Sequence, residues 1–217
     1  MKACKKVVLL IFSIVWMMAI AGKDSANYGE SWEKRANDRQ PPEQVMSAIG
    51  LKPGMVIGEV GAGRGRYTVH LARRVGEKGK VFANDIDAGA LAYLDERLKR
   101  NHIDNVETIL GREDDPLFPK GSLDMVIMVW VFHHLDQPVA LLKNLIPSLK
   151  PGAPVVILDP DPEREGELDS KRPSSRKSLE KEARAAGFKL VRVETFLPRD
   201  LIFILSLPAA GNFQDWR

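Results

Sequence analysis

The chain is short of cysteine, of histidine and of net charge. Of 217 residues one is cysteine, Cys4, so no internal disulfide can form. A structural zinc site built on thiolates is excluded for the same reason. Four histidines leave few candidates for imidazole chemistry. The net charge of +3 comes from one end of the chain. Lys2, Lys5 and Lys6 are three of the 32 basic residues, and without them 29 basic face 29 acidic. A neutral body gives no compositional argument for nucleic-acid binding. Internal repeats and long low-complexity stretches are also absent. With 44% hydrophobic and 28% charged residues the composition is that of a folded globular protein, long enough to bury a core without staples.

What is present begins with an address. The basic start is followed by Val7–Ala21, apolar except for Ser13, and by the small-x-small pattern Ala19-Ile20-Ala21. This is the layout of a secretory signal peptide, expected over 1–21. Fifteen residues fall short of the ~20 of a bilayer span. Cleavage and export to a periplasmic or secreted location are expected, with a membrane tether as the alternative. Cys4 leaves with the peptide. Residues 22–41 read as a polar lead-in with Trp32 as its main apolar anchor, and 206–217 as a tail.

Between these, over 42–205, strands and helices alternate. Met55–Val60, Lys80–Ala83, Val106–Leu110, Asp124–Val131 and Val155–Leu158 read as buried strands. Helices are expected over Arg66–Val75, from an Asp87 cap to about Asn101, from an Asp136 cap with Pro138 in its first turn, and from Ser174/Ser175 to Gly187. Phe188–Glu194 and Leu201–Leu205 have no helix between them. The expected fold is therefore α/β: a Rossmann-like three-layer sandwich, its seven-stranded sheet mostly parallel, with an antiparallel C-terminal hairpin. Ligands in such folds sit beyond the carboxyl ends of the strands.

The strongest motif lies there. The first strand runs into Gly61-Ala62-Gly63-Arg64-Gly65, and Asp85 follows twenty residues after Gly65 at the end of the second strand. Glycines let backbone turn and approach a ligand, and the carboxylate can accept from ribose hydroxyls. Together they point to a nucleoside-containing cofactor. A dinucleotide loop needs a third glycine one residue later, where Arg66 stands, and no G-K-[ST] of a triphosphate loop is present. Glu59 just before the loop suits a cation better than a phosphate. A nicotinamide-dependent oxidoreductase and a non-catalytic nucleoside sensor stay as alternatives.

Glu59-Val60-Gly61-Ala62-Gly63-Arg64-Gly65 with Asp85-Ile86-Asp87 resembles motifs I and II of the class I S-adenosylmethionine (SAM)-dependent methyltransferases. Gly121–Ile127, His133-His134-Leu135 and Leu149–Ala153 resemble later segments of its small-molecule, type 11-like branch. The resemblance implies SAM as cofactor and a small-molecule acceptor methylated at O, N or C, with no nucleic-acid partner. It implies that Gly61, Ala62, Gly63 and Gly65 approach the cofactor and that Glu59 supports the loop or the methionine amino group. Asp85 would hold the ribose and Ile86 pack on adenine. Arg112 stands where the family often has an adenine-contacting Asp, leaving Glu113 or Asp114 for that task. His133 and His134 after the fourth strand are candidate catalytic bases, facing Asp159 and Asp161 after the fifth. Those carboxylates with His133 could also hold a metal ion, although a solvated acidic loop is the favoured reading. Trp130 and Phe132 would share one strand face.

Overall fold

A computed structural model describes residues 29, 31–165 and 175–208. The proposed signal peptide, Ser174 and most of the tail lie outside the described residues. No helix among the described residues is long and apolar enough to cross a membrane. The chain divides at Gln40/Pro41 into two units. In the first, residues 31–39 form α1, on which Trp32 is 44% exposed and so is not the buried anchor expected of it.

The second unit carries the fold. Its elements are α2 (Pro42–Ala48), β1 (Val56–Val60), α3 (Thr68–Val75), β2 (Lys80–Asp85), α4 (Ala88–Arg100), β3 (Val106–Leu110), β4 (Met125–Val129), α5 (Pro138–Leu145), β5 (Val155–Pro160), α6 (Pro162–Glu165), α7 (Arg176–Ala185), β6 (Lys189–Glu194) and β7 (Asp200–Ser206). The seven strands form one sheet in the order β3-β2-β1-β4-β5-β7-β6. The first five are parallel, and β7 runs antiparallel to both β5 and β6. The C-terminal hairpin thus folds back so that its second strand lies inside the sheet. The sequence supports this placement: β7 is almost wholly buried, whereas β6 carries Lys189, Arg192 and Glu194 and suits an edge.

Alternation along the strands divides the core. Ile57, Ile127, Val156, Leu158 and Ile202 pack on one side with α2, α3 and α4. Val60, Val126, Met128, Ile157 and Phe203 pack on the other with α5 and α7. On this period Glu59 goes to the α3 side and Asp159 to the α5 side. The strand order reverses between β1 and β4, and this point lies at the carboxyl ends of both.

Three local expectations are corrected. The α3 helix begins at Thr68, because the chain from Gly65 is still turning. Asp136 does not cap α5: Gln137 holds the N-cap position without a side-chain bond, and Pro138 opens the helix. The β4 strand stops at Val129. Trp130 then takes a left-handed φ of 58° and Phe132–His134 form a 3₁₀ turn, so Trp130 and Phe132 do not alternate on one strand face. Asp87 and Ser175 do cap: Asp87 Oδ1 accepts from the Gly89 and Ala90 N–H groups, and Ser175 Oγ from the Ser178 N–H.

Candidate active site

The carboxyl ends of β1, β2 and β4 open onto a cleft of about 310 Å³. Val60 and Gly61 come from β1, Asn84, Asp85 and Ile86 from β2, and Arg112 and Glu113 from the loop after β3. Trp130, Val131, His134, Leu135 and Asp136 come from the segment after β4. The walls are mainly apolar, and their charged side chains are Asp85, Glu113 and Asp136 with Arg112.

Asp85 organises the glycine loop. Its Oδ2 accepts from the Gly63 N–H at 2.7 Å and its Oδ1 from the Asp87 N–H at 2.9 Å. Each carboxylate oxygen keeps a second lone pair for a ligand hydroxyl. The loop is fixed on its other side by the Ala62 N–H, which donates to the Asn84 carbonyl at 2.8 Å. Ile86 next to Asp85 is 57% exposed, an apolar surface at the cleft wall suited to packing on a flat ring.

The glycines differ in purpose. Gly63 has φ +55°, and a Cβ built there would meet nothing within 4 Å. Gly65 has φ +80°, and its Cβ would fall 2.3 Å from Leu94 Cδ1. Gly65 therefore leaves room for Leu94 of α4 against the loop, as Gly61, whose Cβ would fall 2.3 Å from Val131 Cγ2, leaves room for Val131.

Glu59 does not reach the cleft. It is 2% exposed and its Oε2 accepts from Thr68 Oγ1 at 2.6 Å, tying β1 to the first turn of α3 beneath the loop. Burial pushes its carboxyl up to about 7, against the lowering pull of the Thr68 hydroxyl and Arg66. A carboxyl raised this way favours the fold while protonated. Its contribution is complete below pH 4.5 and is lost as pH rises through about 7. Glu59→Gln keeps the acceptor and cannot ionise. It is expected to exceed the wild type in stability by about 3 kcal/mol at pH 8, since one pKa unit is ~1.4 kcal/mol. Urea unfolding from pH 4 to 8.5 should show the gap closing towards pH 4.5; a constant gap would contradict this account of Glu59.

Trp130 lines the cleft just after β4. Its left-handed backbone is costly for a bulky residue, and three contacts hold it. The Trp130 N–H donates to the Leu158 carbonyl at 2.9 Å, and its indole Nε1–H donates to Asp200 Oδ1 at 2.8 Å. The Arg66 guanidinium lies 5.2 Å from its ring centroid and 5.1 Å from that of Tyr67.

The two histidines part company. His134 lines the cleft. His133 is buried, with Nδ1 2.9 Å from Asp159 Oδ1, and its ring lies 3.9 Å from that of His134 between centroids. Asp161 caps α6 through the Glu163 N–H and pairs with Arg164. No group of three or more metal-ligating side chains occurs among the described residues.

The other expected site residues are placed unevenly. Glu113 lines the cleft and Asp114 does not; the Asp114 carbonyl accepts from Asn144 Nδ2 at 2.8 Å. Missed from sequence were Asn84, Val131, Leu135 and Asp136. Asn84 carried a signal, a polar residue inside an apolar strand; its Nδ2 ties the Ile109 and Pro116 carbonyls beside the cleft.

Residues 57–152 match the family model described as a methyltransferase domain. The solved structure of a SAM-dependent methyltransferase from Aquifex aeolicus is 30% identical, covers 77% of this chain and 89% of its own, and superposes with a TM-score of 0.70. The chain belongs to the SAM-dependent methyltransferases.

The fold is that of class I, and SAM is the cofactor the family carries. The methyltransferase cleft fits it: the exposed apolar wall at Ile86 lies beside the Asp85 carboxylate, and the lining carries three acidic side chains, Asp85, Glu113 and Asp136, against one guanidinium, Arg112. The nicotinamide alternative does not survive this membership. A demethylmenaquinone methyltransferase of Lactococcus lactis is 29% identical over 116 residues, 54% of this chain and 46% of its own. The chain thus spans about half the length of the curated relatives it matches. A 1,6-didemethyltoxoflavin-N1-methyltransferase of Burkholderia thailandensis, solved with that compound and S-adenosylhomocysteine (SAH), is 19% identical over 78% of this chain and 77% of its own. Its TM-score of 0.61 shows the shared fold.

Proposed function

We propose that the protein transfers a methyl group from SAM to a small-molecule acceptor. The observation that carries this reading is the pairing of Asp85 with the Gly63 N–H at the mouth of an apolar cleft. Gly61 and Gly63 give the cofactor bare backbone, Asp85 its ribose contacts, and Ile86 and Glu113 the adenine side. Ala62 and Gly65 shape the loop, and Glu59 braces it from below. SAM brings a methyl on a sulfonium, already a good leaving group. The protein's share is then to align an acceptor, exclude water and take up a proton. The relatives named for menaquinone and toxoflavin precursors support a small acceptor, and so does a body with no excess of basic residues.

Incubating the protein with methyl-labelled SAM and a small-molecule extract should place label in an organic product. Label confined to protein or nucleic acid would contradict the small-acceptor reading. Binding of SAM without release of label would favour the sensor alternative.

We also propose export, on the sequence layout of residues 1–21. The mature chain should begin near Gly22. Intact-mass analysis finding Met1 in the exported fraction would refute cleavage.

A further inference from the structure

Asn84 is the last residue but one of β2, and it lines the cleft although only 2% of its surface is exposed. By alternation it shares the strand face of Phe82, which packs into the apolar core. A buried amide in such surroundings is costly unless both of its ends are used. The Nδ2 end is used twice. It donates to the Ile109 carbonyl near the end of β3 and to the Pro116 carbonyl of the following loop, each at 3.2 Å. Two carbonyls facing one nitrogen fix which end of the amide is which. Gly111 makes room for it, since a Cβ there would run into Asn84 Nδ2. The Oδ1 end has no hydrogen-bond partner among the described residues, and it is not sealed from solvent. A residue this buried that lines the cleft has its opening there. The fold therefore holds one bare, rigidly placed acceptor in the wall that continues through Asp85 and Ile86.

We infer that Asn84 Oδ1 accepts a hydrogen bond from the 6-amino group of the cofactor's purine and makes the cleft selective for 6-aminopurine over 6-oxopurine nucleosides. This rests on the SAM reading above. Three consecutive residues then serve consecutive parts of one nucleoside: Asp85 the sugar, Ile86 the face of the base and Asn84 its edge. The other polar side chains of the lining are less suited to read that edge. Arg112 has donors only and cannot accept from an amine. Glu113 and Asp136 accept, but both are exposed, so water competes for their oxygens. A buried acceptor discriminates in a way these do not. The 6-amino group satisfies it, whereas a 6-oxo group sets two acceptors face to face and leaves both unpaired. Asn84 is thus a specificity-determining residue for the cofactor, and its two Nδ2 bonds hold the oxygen in place.

The test titrates the full chain calorimetrically with SAH and with S-inosylhomocysteine, the same molecule with a 6-oxo group in place of the 6-amino group. The wild type should prefer SAH by at least ~10-fold. Asn84→Leu, close to Asn in volume, and the smaller Asn84→Ala should each bring the two affinities within ~3-fold of one another. Loss of the ties to Ile109 and Pro116 weakens both ligands together, so the ratio reads the amine contact apart from any structural role. Equal binding of the two ligands by the wild type would overturn the inference. So would a preference that survives in either folded Asn84 variant, or one that is lost instead in Glu113→Ala. A wild type that binds neither SAH nor SAM would sink the SAM reading itself.

Discussion

Replacing Asp85 with Ala is expected to weaken SAM binding by at least about tenfold, since a hydrogen bond to a charged group contributes ~1.5–3 kcal/mol. The loss has two sources. The ribose hydroxyls lose their acceptor, and the Gly63 and Asp87 N–H groups lose the carboxylate that fixes them at 2.7 and 2.9 Å. Asp85→Asn separates the two. One amide oxygen can hold one N–H, so the loop is partly kept while the charge is gone, and an intermediate affinity is expected. Isothermal calorimetry with SAM and with SAH reads both variants. Unchanged affinity in Asp85→Ala would contradict the ribose assignment.

A larger effect is expected from Gly63→Val. The position is left-handed, so a branched residue is strained by ~1–2 kcal/mol. Nothing in the protein occupies the space its Cβ would enter. The fold should survive with a melting temperature lower by a few degrees, while the side chain stands where the cofactor would lie. Binding should fall below detection, with the circular dichroism spectrum retained. Gly65→Val is the control from the same loop: its Cβ would fall 2.3 Å from Leu94 Cδ1, so it should lose the fold along with binding. Retained SAM affinity in Gly63→Val would remove the loop from the site.

The contrast between these glycines shows where reading the sequence stops. The spacing of Gly61, Gly63, Gly65 and Asp85 located the loop and its acid because both follow from a strand, a turn and a helix close in sequence. Which glycine faces ligand and which faces Leu94 depends on α4, which packs there only in the folded chain. The five parallel strands were legible as apolar runs. The early end of β4 was not, because Val129-Trp130-Val131 reads as more strand. What turns the chain at Trp130 is Asp200, seventy residues away, with Arg66 over the indole ring. Asp136 likewise passed for a helix cap, since an acid two residues before Pro138 fits that role; the structure puts it on the cleft wall. The His133–Asp159 pair was half legible, as two ends of adjacent strands. The contact itself, 2.9 Å from Nδ1 to Oδ1, required coordinates.

The cleft is expected to recognise a cationic sulfonium nucleoside through bare backbone and one aspartate. Calorimetric titration of the wild-type chain with SAM, SAH and NAD reads this recognition. Saturable single-site binding of SAM and SAH, with none of NAD, is expected. Absence of binding by both SAM and SAH, or binding of NAD in their place, would contradict it.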